Sequence, residues 1–331
     1  MRRFVRLAGY VLGSVALIFT LLYGGMYVCF KIKRCFGQKE VMHVAFGINN
    51  TYAEPLNVLL TSLLWNNQDM QVHVYVLSDS LSEANKHKLS QTVSVFPDMK
   101  ITFLKTFVPK EFAEISGVNG HISKETFLRF NIPLILPETV DRVLYLDADL
   151  IVDGSLQELW HTPLEDMLVA GSADFFEEEF IRYYRDYSLK QYINAGVLLM
   201  NLKEIRKTNA VSFLYRFLQN NLKNEKIQFL LPDQDTLNIV WNDKIKIFDL
   251  KYNSDMNLYH FSDAVVLHFA GPKKPWKMKL QQNYYYDIYR EMNRHIVFSR
   301  YGFSLAVWEF IKLKSFEIFS DIKYLISQSD R

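Results

Sequence analysis

Two aspartates, Asp147 and Asp149, stand two residues apart at the end of the apolar stretch VLYLDADLIV. Side chains at positions i and i+2 of a strand point to the same face, so the two carboxylates would repel each other unless a cation lay between them. Carboxylate oxygens are the ligands that Mg²⁺ and Mn²⁺ prefer, and open positions on such an ion can bind phosphate oxygens. This motif is a candidate metal site, and a pair of surface aspartates in a turn is the alternative.

An aspartate pair after a strand is also found in aspartyl-phosphate phosphatases of the haloacid dehalogenase type. There the first aspartate is the nucleophile and the second an acid or base, and Thr or Val usually stands two residues after the pair. Leu150 and Ile151 follow the pair here. That class also places the pair after the first strand of its core, whereas two or three strands are predicted before Asp147.

A second motif, VLHFAGPKKPW at residues 266–276, supplies a histidine and a lysine. His268 ends an apolar strand, and a neutral imidazole can complete a metal site that two carboxylates begin. Gly271 allows the backbone to approach a ligand closely, and Lys274 can hold a leaving diphosphate. Alone, His268 is typical of a buried, hydrogen-bonded core residue. Combined with the aspartate pair, the motif decides against the phosphatase interpretation.

Two further polar motifs have two interpretations each. Asn-Ala-Gly at 194–196 opens an apolar run, which suits either a close approach of backbone to ligand or a simple turn into a strand. Asp-Gln-Asp at 233–235 follows a proline, which suits either catalysis or the capping of a helix. Arg129 by itself is typical of an ordinary ion pair.

Strands and helices alternate along the chain from residue 42 onward. This alternation predicts an α/β fold with a mostly parallel sheet covered by helices on both faces. Ligands of such sheets bind beyond the carboxyl ends of the strands, so the chemistry is expected just after residues 48, 147 and 269. The predicted strands are 42–48, 71–77, 100–104, 143–147, 168–172, 196–200, 245–249 and 264–269. The predicted helices are 55–66, 82–95, 123–131, 209–222 and 234–241.

Composition excludes several classes of protein. The 331 residues include 38 Lys and Arg against 36 Asp and Glu, a net charge of +2 that gives no general case for nucleic-acid binding. With 49% hydrophobic residues the chain is not wholly disordered. Its 2 cysteines are too few for a disulfide scaffold or a four-cysteine zinc site.

The segment at 7–30 carries no charge and is long enough for a membrane-spanning helix, which needs about 20 apolar residues. A cleaved signal peptide has a shorter apolar core and a cleavage site of small residues, so an uncleaved anchor is expected. Three basic residues flank the segment on each side, and the positive-inside rule therefore does not orient it. The predicted division is an anchor at 1–40, a catalytic domain at 41–280 and a basic, aromatic helical tail at 281–331.

The chain resembles glycosyltransferase family 8 over about residues 42–277. These are retaining, metal-dependent enzymes of the GT-A fold that use UDP-sugars, and they include α-galactosyl- and α-glucosyltransferases of bacterial lipooligosaccharide. The order and spacing of six motifs carry the resemblance. The motifs are FGINNTY (46–52), HISKETFLRF (121–130), RVLYLDADLIVDGSLQELW (142–160), INAGVLLMNL (193–202), PDQDTLN (232–238) and LHFAGPKKPW (267–276).

The resemblance implies a role for each matched residue. The implied metal ligands are Asp147, Asp149 and His268. The implied nucleotide-binding residues are Phe46, Gly47, Asn49, Thr51, Tyr52, Arg129, Asp147, Ala148, Asp149, Gly271 and Lys274. The implied residues around the donor sugar and the reacting carbon are Arg129, Asp174, Asn194, Asp233 and Gln234, and His121 matches a residue on the acceptor side.

The nucleotide turn departs from the family pattern. Bacterial members usually have an acidic residue where this chain has Asn49, so an amide oxygen replaces a carboxylate as the acceptor for uracil N3–H. The implied reaction moves a hexose, glucose or galactose, from UDP with retention of configuration and with Mn²⁺ or Mg²⁺ as cofactor. Retention would use Asp233 or Asp235 as a nucleophile, or a front-face attack with Gln234 beneath the reacting carbon.

The acceptor is expected to be a saccharide or a glycolipid. Apolar residues at 303–326 form a helical stripe with basic neighbours, which suits either contact with membrane lipid or packing on the catalytic domain. The expected location is the bacterial inner membrane with the catalytic domain facing the cytosol, and a Golgi type II arrangement is the alternative. A catalytically silent, sugar-binding membrane protein is the remaining interpretation, and the intact acidic pair argues against it.

Overall fold

The computed structural model describes residues 39–113, 124–224, 227–258, 263–277 and 284–298. The chain divides into two compact units, Met1–Glu40 and Val41–Arg331, and all described helices and strands belong to the second. The predicted anchor at 7–30, His121 and the stripe at 303–326 lie outside the described residues. Among the residues in the described ranges, none form a helix that is both long enough and apolar enough to cross a bilayer.

Strands and α-helices alternate much as the sequence predicts. The strands are β1 Val41–Gly47, β2 Gln71–Ser78, β3 Lys100–Lys105, β4 Arg142–Leu146, β5 Leu150–Val152, β6 Val169–Gly171, β7 Val197–Asn201, β8 Ile245–Ile247, β9 Ser254–Asp255 and β10 Val266–His268. The helices are α1 Ala53–Asn66, α2 Glu83–Ser94, α3 Lys110–Ala113, α4 Leu128–Ile135, α5 Gln157–Trp160, α6 Glu177–Tyr183, α7 Leu202–Lys207, α8 Ala210–Asn224, α9 Pro232–Val240 and α10 Tyr284–Phe298.

A seven-stranded sheet in the order β3-β2-β1-β4-β7-β6-β8 organises the described residues. The pairs β3-β2, β2-β1, β1-β4 and β6-β8 are parallel, and β7 is antiparallel to both of its neighbours. The predicted mostly parallel sheet is therefore confirmed. The reversal of β7 was not predicted, and it matters because the residues just before β7 now lie where β4 ends.

A second sheet of three strands, in the order β5-β10-β9, stands beside the first. Strand β10 runs antiparallel to β5, so that His268 pairs with Leu150, the residue after Asp149. The backbone N–H of Phe269 also donates to the carbonyl oxygen of Asp149 at 3.0 Å. The sequence predicted one sheet, and this small additional sheet is what brings His268 beside the aspartate pair.

The core lies on both faces of the large sheet, because successive residues of each central strand point to opposite sides. On β1, Val44 and Phe46 pack in the cluster that contains the buried face of α1, while Ala45 packs in the cluster that contains α4 and α8. Helix α10 packs against α1. The Tyr289 hydroxyl of α10 donates to Asp153 at 2.5 Å, which fastens this helix to the segment after β5.

One predicted helix differs in form from the structure. The region predicted as a helix at 123–131 begins as a 3₁₀ turn, Lys124–Phe127, and continues as α4. Pro133 inside α4 cannot donate a backbone hydrogen bond, and the helix ends two residues later. Arg129 consequently lies in the first turn of α4.

Candidate active site

Asp147 is the first residue after β4, not the last residue of the predicted strand 143–147. Its backbone N–H donates to the carbonyl oxygen of Gly196 at 2.8 Å, across the antiparallel pairing with β7. Its carboxylate oxygen Oδ1 accepts from the Arg129 guanidinium at 3.0 Å and from the Tyr145 hydroxyl at 2.6 Å. Asp147 is thus held in place by two donors and still has its second carboxylate oxygen toward the site.

Asp149 is buried and shares its two oxygens between a lysine and a histidine. The Lys274 ammonium donates to one oxygen of Asp149 and to the backbone carbonyl of Phe269, and it is buried as well. Nε2 of His268 lies 3.5 Å from the other oxygen, Oδ1. Two sequence motifs separated by more than a hundred residues therefore meet at a single carboxylate.

These contacts set the charges at Asp149 and His268. Burial alone would raise the pKa of Asp149, but the charges of Lys274 and His268 outweigh it and hold that pKa well below its usual range. Burial alone would lower the pKa of His268, and the charge of Asp149 outweighs it so that the pKa is raised. Asp149 is therefore ionised at neutral pH, as a metal ligand has to be.

The predicted metal ligands come together in space. Asp147, Asp149 and His268 each offer one ligand atom, and these atoms lie within 4.8 Å of one another. Nδ1 of His268 is hydrogen-bonded to Oδ1 of Asn253 at 2.8 Å, which leaves Nε2 on the side of the carboxylates. Two carboxylates and one imidazole form a donor set that fits Mn²⁺ or Mg²⁺.

A second group of side chains, rich in amides, lies next to the aspartate pair. Asp174 follows β6, and its Oδ2 accepts from the amides of Asn194 and Gln234, both at 3.0 Å. Oδ1 of Asp174 accepts from the backbone N–H of Phe176 at 3.0 Å. The amide oxygen of Gln234 accepts from the backbone N–H of Ala195 at 2.9 Å. Each of these three predicted residues is thus fixed in direction by its neighbours.

Arg129 connects the two groups of side chains. One of its guanidinium nitrogens lies 3.0 Å from Asp147 and 3.2 Å from Asp233, and another donates to the carbonyl oxygen of Ala195 at 2.6 Å. The residue is only 2% exposed. It is therefore a buried bridge that forms ion pairs with two acidic residues of the site.

The two aspartates of the Asp-Gln-Asp motif differ in their surroundings. Burial raises the pKa of Asp233, and Arg129 partly offsets this effect. Asp235 is fully buried, and its carboxylate accepts from the Tyr192 hydroxyl and from the backbone N–H groups of Leu230 and Leu231. Asp235 therefore fastens the segment before α9, in the manner of the capping interpretation, whereas Asp233 faces Arg129.

The predicted nucleotide turn forms a 3₁₀ turn directly after β1. The Asn49 side-chain oxygen accepts from the backbone N–H of Thr51 at 2.9 Å, and Asn50 donates to the carbonyl oxygen of Ser80 at 2.7 Å. The Tyr52 ring lies edge-on to the Trp276 ring at 5.8 Å. Burial raises the pKa of Tyr52 to about 12, with the charges of the aspartate pair adding to it, so the turn lies beside the metal-ligand cluster.

Some residues of the predicted nucleotide site have side chains that point away from it. Phe46 and Ala148 are buried in the core cluster on the α1 side, so only their backbones can contact a nucleotide. Gly47 packs against Leu128 of α4, where an added Cβ would lie 3.0 Å from the Leu128 Cβ. These three positions contribute backbone to the site, and none of them contributes a side-chain functional group.

Two positions in the site require glycine, one because of a close contact and the other because of its backbone conformation. A Cβ at Gly196 would lie 2.3 Å from Cε1 of His268, so the close approach predicted at this glycine is to the histidine ring of the site itself. Gly271 has a φ of +75°, the left-handed region that favours glycine, and it turns the chain between His268 and Lys274. Both glycines therefore serve the placement of His268 and its motif.

The sequence analysis missed three features of this site. Asn253, which binds His268, stands in an unremarkable polar stretch with no spacing signal. Tyr145 was counted only as a strand residue, although its hydroxyl donates to Asp147. Phe175 and Phe176 are 48% and 45% exposed directly after Asp174, and the signal in the sequence was the pair of adjacent aromatic residues beside a predicted site residue.

Comparison with known proteins defines the class of this chain. The model of the family described as Glycosyl transferase family 8 matches residues 43–279, and the chain belongs to that family. It is 31% identical over 257 residues to the lipopolysaccharide glucosyltransferase WaaO of Escherichia coli, covering 71% of this chain and 72% of that protein. It is 24% identical over 252 residues to the lipopolysaccharide 1,3-galactosyltransferase of Salmonella typhimurium, covering 72% and 73%.

Solved structures agree with this assignment. The galactosyltransferase LgtC in complex with donor and acceptor sugar analogues is similar with a TM-score of 0.63 at 26% identity, covering 76% of this chain and 95% of LgtC. An active-site mutant of LgtC gives a TM-score of 0.65 at 25% identity, with the same coverage. The chain is thus a glycosyltransferase with a GT-A-like α/β fold, and the resemblance inferred from its motifs is confirmed.

Proposed function

We propose that this chain transfers a hexose, glucose or galactose, from UDP-hexose to a saccharide or glycolipid acceptor with retention of configuration, and that Mn²⁺ or Mg²⁺ is required. The cluster of Asp147, Asp149 and His268 carries this proposal, because it is a hard-cation site at the edge of the sheet where the nucleotide turn also ends. A divalent cation bound there would neutralise the charge of the departing UDP.

The side chains of this site divide the work of the reaction. Lys274, now bound to Asp149, is placed to donate to the diphosphate and stabilise its charge. Asn49 keeps a second lone pair on its amide oxygen for the N3–H of uracil. Asp174 is placed to accept from the sugar hydroxyls and is held in direction by Asn194 and Gln234.

In the transfer step the bond from the anomeric carbon to the diphosphate oxygen breaks and a bond to the acceptor hydroxyl oxygen forms, with release of the hydroxyl proton. Positive charge develops at the anomeric carbon, as it does in glycoside hydrolysis. Retention follows either from a covalent intermediate on Asp233 or from attack on the face that UDP leaves, with Gln234 beneath the carbon. Oδ2 of Asp233 is paired with Arg129, so a nucleophilic role would fall to its other oxygen or require that pair to open.

We place the acceptor beside two exposed aromatic rings. The exposed rings of Phe175 and Phe176 follow Asp174 directly and lie 5.0 Å apart at 89°. Flat aromatic faces of this kind suit the C–H faces of a sugar ring. The relatives named for lipopolysaccharide synthesis support a saccharide of the bacterial envelope as the acceptor.

The test is donor turnover by metal-ligand variants. We expect Asp149→Ala and Asp147→Ala to reduce Mn²⁺-dependent hydrolysis or transfer of UDP-hexose by at least ~10³-fold, because each loses a charged ligand of the cation. Asp166→Ala, which removes a carboxylate paired with exposed Lys244, is the matched control and should keep full activity. Undiminished turnover by either ligand variant would contradict the metal assignment, and a screen of UDP-glucose against UDP-galactose identifies the sugar.

A further inference from the structure

Asn253 lies between the two groups of polar side chains and touches both. It follows the 3₁₀ turn Leu250–Tyr252 and precedes β9, which pairs with β10 beside His268. Its side chain is 4% exposed. Its Oδ1 lies 2.8 Å from Nδ1 of His268, and its amide nitrogen donates to Oδ1 of Asn194 at 3.0 Å.

Hydrogen bonds link His268, Asn253, Asn194 and Asp174 in series, and the direction of each bond follows from the carboxylate of Asp174 at the end of the series. The Asp174 carboxylate can only accept, so the Asn194 amide nitrogen is the group that faces it at 3.0 Å. Oδ1 of Asn194 then faces the other way, and it also accepts from the backbone N–H of Gly196 at 2.9 Å. Asn253 must therefore donate to Asn194 through its nitrogen, which leaves its oxygen toward His268.

An oxygen at Nδ1 requires a proton on Nδ1. A neutral His268 is then protonated on Nδ1 and carries its lone pair on Nε2, the atom that lies 3.5 Å from Asp149. The ring is also confined on its other side, because a Cβ at Gly196 would lie 2.3 Å from Cε1 of His268. Both the position of the ring and its tautomer are thus determined before any cation binds.

We propose that Asn253 is a positioning residue that selects the His268 tautomer able to bind a divalent cation, and that it links this choice to the orientation of Asn194 and Asp174. The metal part of the proposal rests on the donor set described above, and the link to the sugar rests on the proposed function. Partners of this kind, one step removed from a metal, typically change its affinity by 10–100-fold when they are lost.

Two substitutions separate the two contacts of Asn253. Asn253→Ala removes both, and we expect Mn²⁺ to bind 10–100-fold more weakly in titration calorimetry or by electron paramagnetic resonance of free Mn²⁺. Asn253→Asp keeps an acceptor for Nδ1–H but places a carboxylate against Oδ1 of Asn194. Because this variant keeps a partner for Nδ1–H, it should bind Mn²⁺ without the loss of about 10–100-fold, while its kcat for UDP-hexose falls because Asn194 has to turn away.

The tautomer itself is read from long-range ¹H–¹⁵N spectra of protein labelled with ¹⁵N-histidine, without added metal and at alkaline pH, where the His268 imidazole is neutral. The His268 signals are assigned by their loss in His268→Gln. We expect the Nδ1–H pattern in the wild type and in Asn253→Asp, and a mixture of both tautomers in Asn253→Ala. If Asn253 had a purely structural role, the His268 tautomer would not differ in this way between Asn253→Asp and Asn253→Ala.

Asn201→Ala is the matched control, because the Asn201 amide also donates to two partners, the carbonyl oxygens of Glu165 and Met167, at the far end of β7. It should leave Mn²⁺ affinity and the tautomer unchanged. If the alanine variant does not fold, Asn253→Leu, of similar volume and without polar atoms, carries the same expectation.

Wild-type Mn²⁺ affinity in Asn253→Ala, or equal loss of affinity in Asn253→Asp, would overturn the proposal, as would an unchanged tautomer in Asn253→Ala. These readouts need no sugar transfer. A protein that binds Mn²⁺ as expected but turns over no UDP-hexose would contradict the proposed function and leave the role of Asn253 at the metal site intact.

Discussion

The site consists of two regions that are built on different principles. The charged region comprises Asp147, Asp149, His268 and Lys274, where each carboxylate is paired with a cationic group. The amide region comprises Asp174, Asn194, Gln234 and Asn253, where amide hydrogen bonds run in one direction from residue to residue.

The two regions differ in how easily a bound ligand can replace their internal interactions. A salt bridge of Lys274 can be traded for a diphosphate with little rearrangement, because an ammonium group has no preferred acceptor geometry. An amide that turns over breaks the bonds on both of its sides, and each buried donor left unpaired costs about 1–3 kcal/mol. We therefore expect the charged region to bind and release, and the amide region to stay preorganised around the sugar.

The removal of Gln234 from the amide region should reduce activity more than the removal of Lys274 from the charged region. Gln234→Ala leaves the N–H of Ala195 and one lone pair of Asp174 unpaired next to the reacting carbon. We expect kcat to fall by about 10²–10³-fold, the range seen when one oriented polar group is lost from an active site. Mn²⁺ affinity should stay unchanged, and Gln157→Ala on exposed α5 is the control. Parallel loss of Mn²⁺ affinity would show that the two regions do not act separately.

Removing Lys274 should change the charged region in two opposite ways. Lys274→Ala takes away the ammonium that now occupies one oxygen of Asp149. We expect the KM for UDP-hexose to rise by about 10–10²-fold, since a charge-assisted contact contributes about 1.5–3 kcal/mol. Mn²⁺ affinity measured without nucleotide should increase, because the cation no longer competes with the lysine. Lys273→Ala, at the exposed neighbouring position, should do neither, and weaker Mn²⁺ binding in Lys274→Ala would refute the exchange.

The two regions also differ in how far the sequence predicts them. The charged region lies at the ends of two strands whose apolar patterns are plain, β4 and β10, and the rule that ligands bind beyond strand ends predicted where its residues come together. The amide region depends on the reversed direction of β7 and on Asn253 beside β9. Strand direction is set by pairing between distant segments, which a local pattern does not encode. The resemblance nevertheless supplied Asp174, Asn194 and Gln234 without the geometry that joins them.

Side-chain direction explains the other differences between prediction and structure. Phe46 and Ala148 belong to motifs of the nucleotide site, yet alternation along the chain turns both side chains into the core. Capping and catalysis were alternatives for the Asp-Gln-Asp motif as a whole. In the structure Asp235 binds the backbone before α9, as capping requires, while Asp233 pairs with Arg129. A motif thus locates a site more reliably than it assigns the role of each residue.

The last prediction concerns Asp235, the support beneath Gln234 on α9. Burial raises its pKa to about 6 from an ordinary value of 3.8, and hydrogen bonds from Tyr184 and Tyr192 offset only part of that rise. The folded state therefore binds this proton more tightly than the unfolded state does. The resulting stabilisation is complete below pH 3.8 and is lost as the pH rises through about 6.

Asp235→Asn removes this titration while it keeps an acceptor for the N–H groups of Leu230 and Leu231 and a donor for the Tyr192 hydroxyl. The free energy of unfolding of the wild type, relative to the variant, should fall by about 2 kcal/mol as the pH rises from 3.8 to about 6. Urea unfolding at several pH values measures it. Asp166→Asn, at an exposed carboxylate whose pKa Lys244 lowers, should show no such fall. A constant difference between wild type and Asp235→Asn would mean that Asp235 has the same pKa in the folded and unfolded states, and would contradict the assignment of a burial-raised pKa to this support.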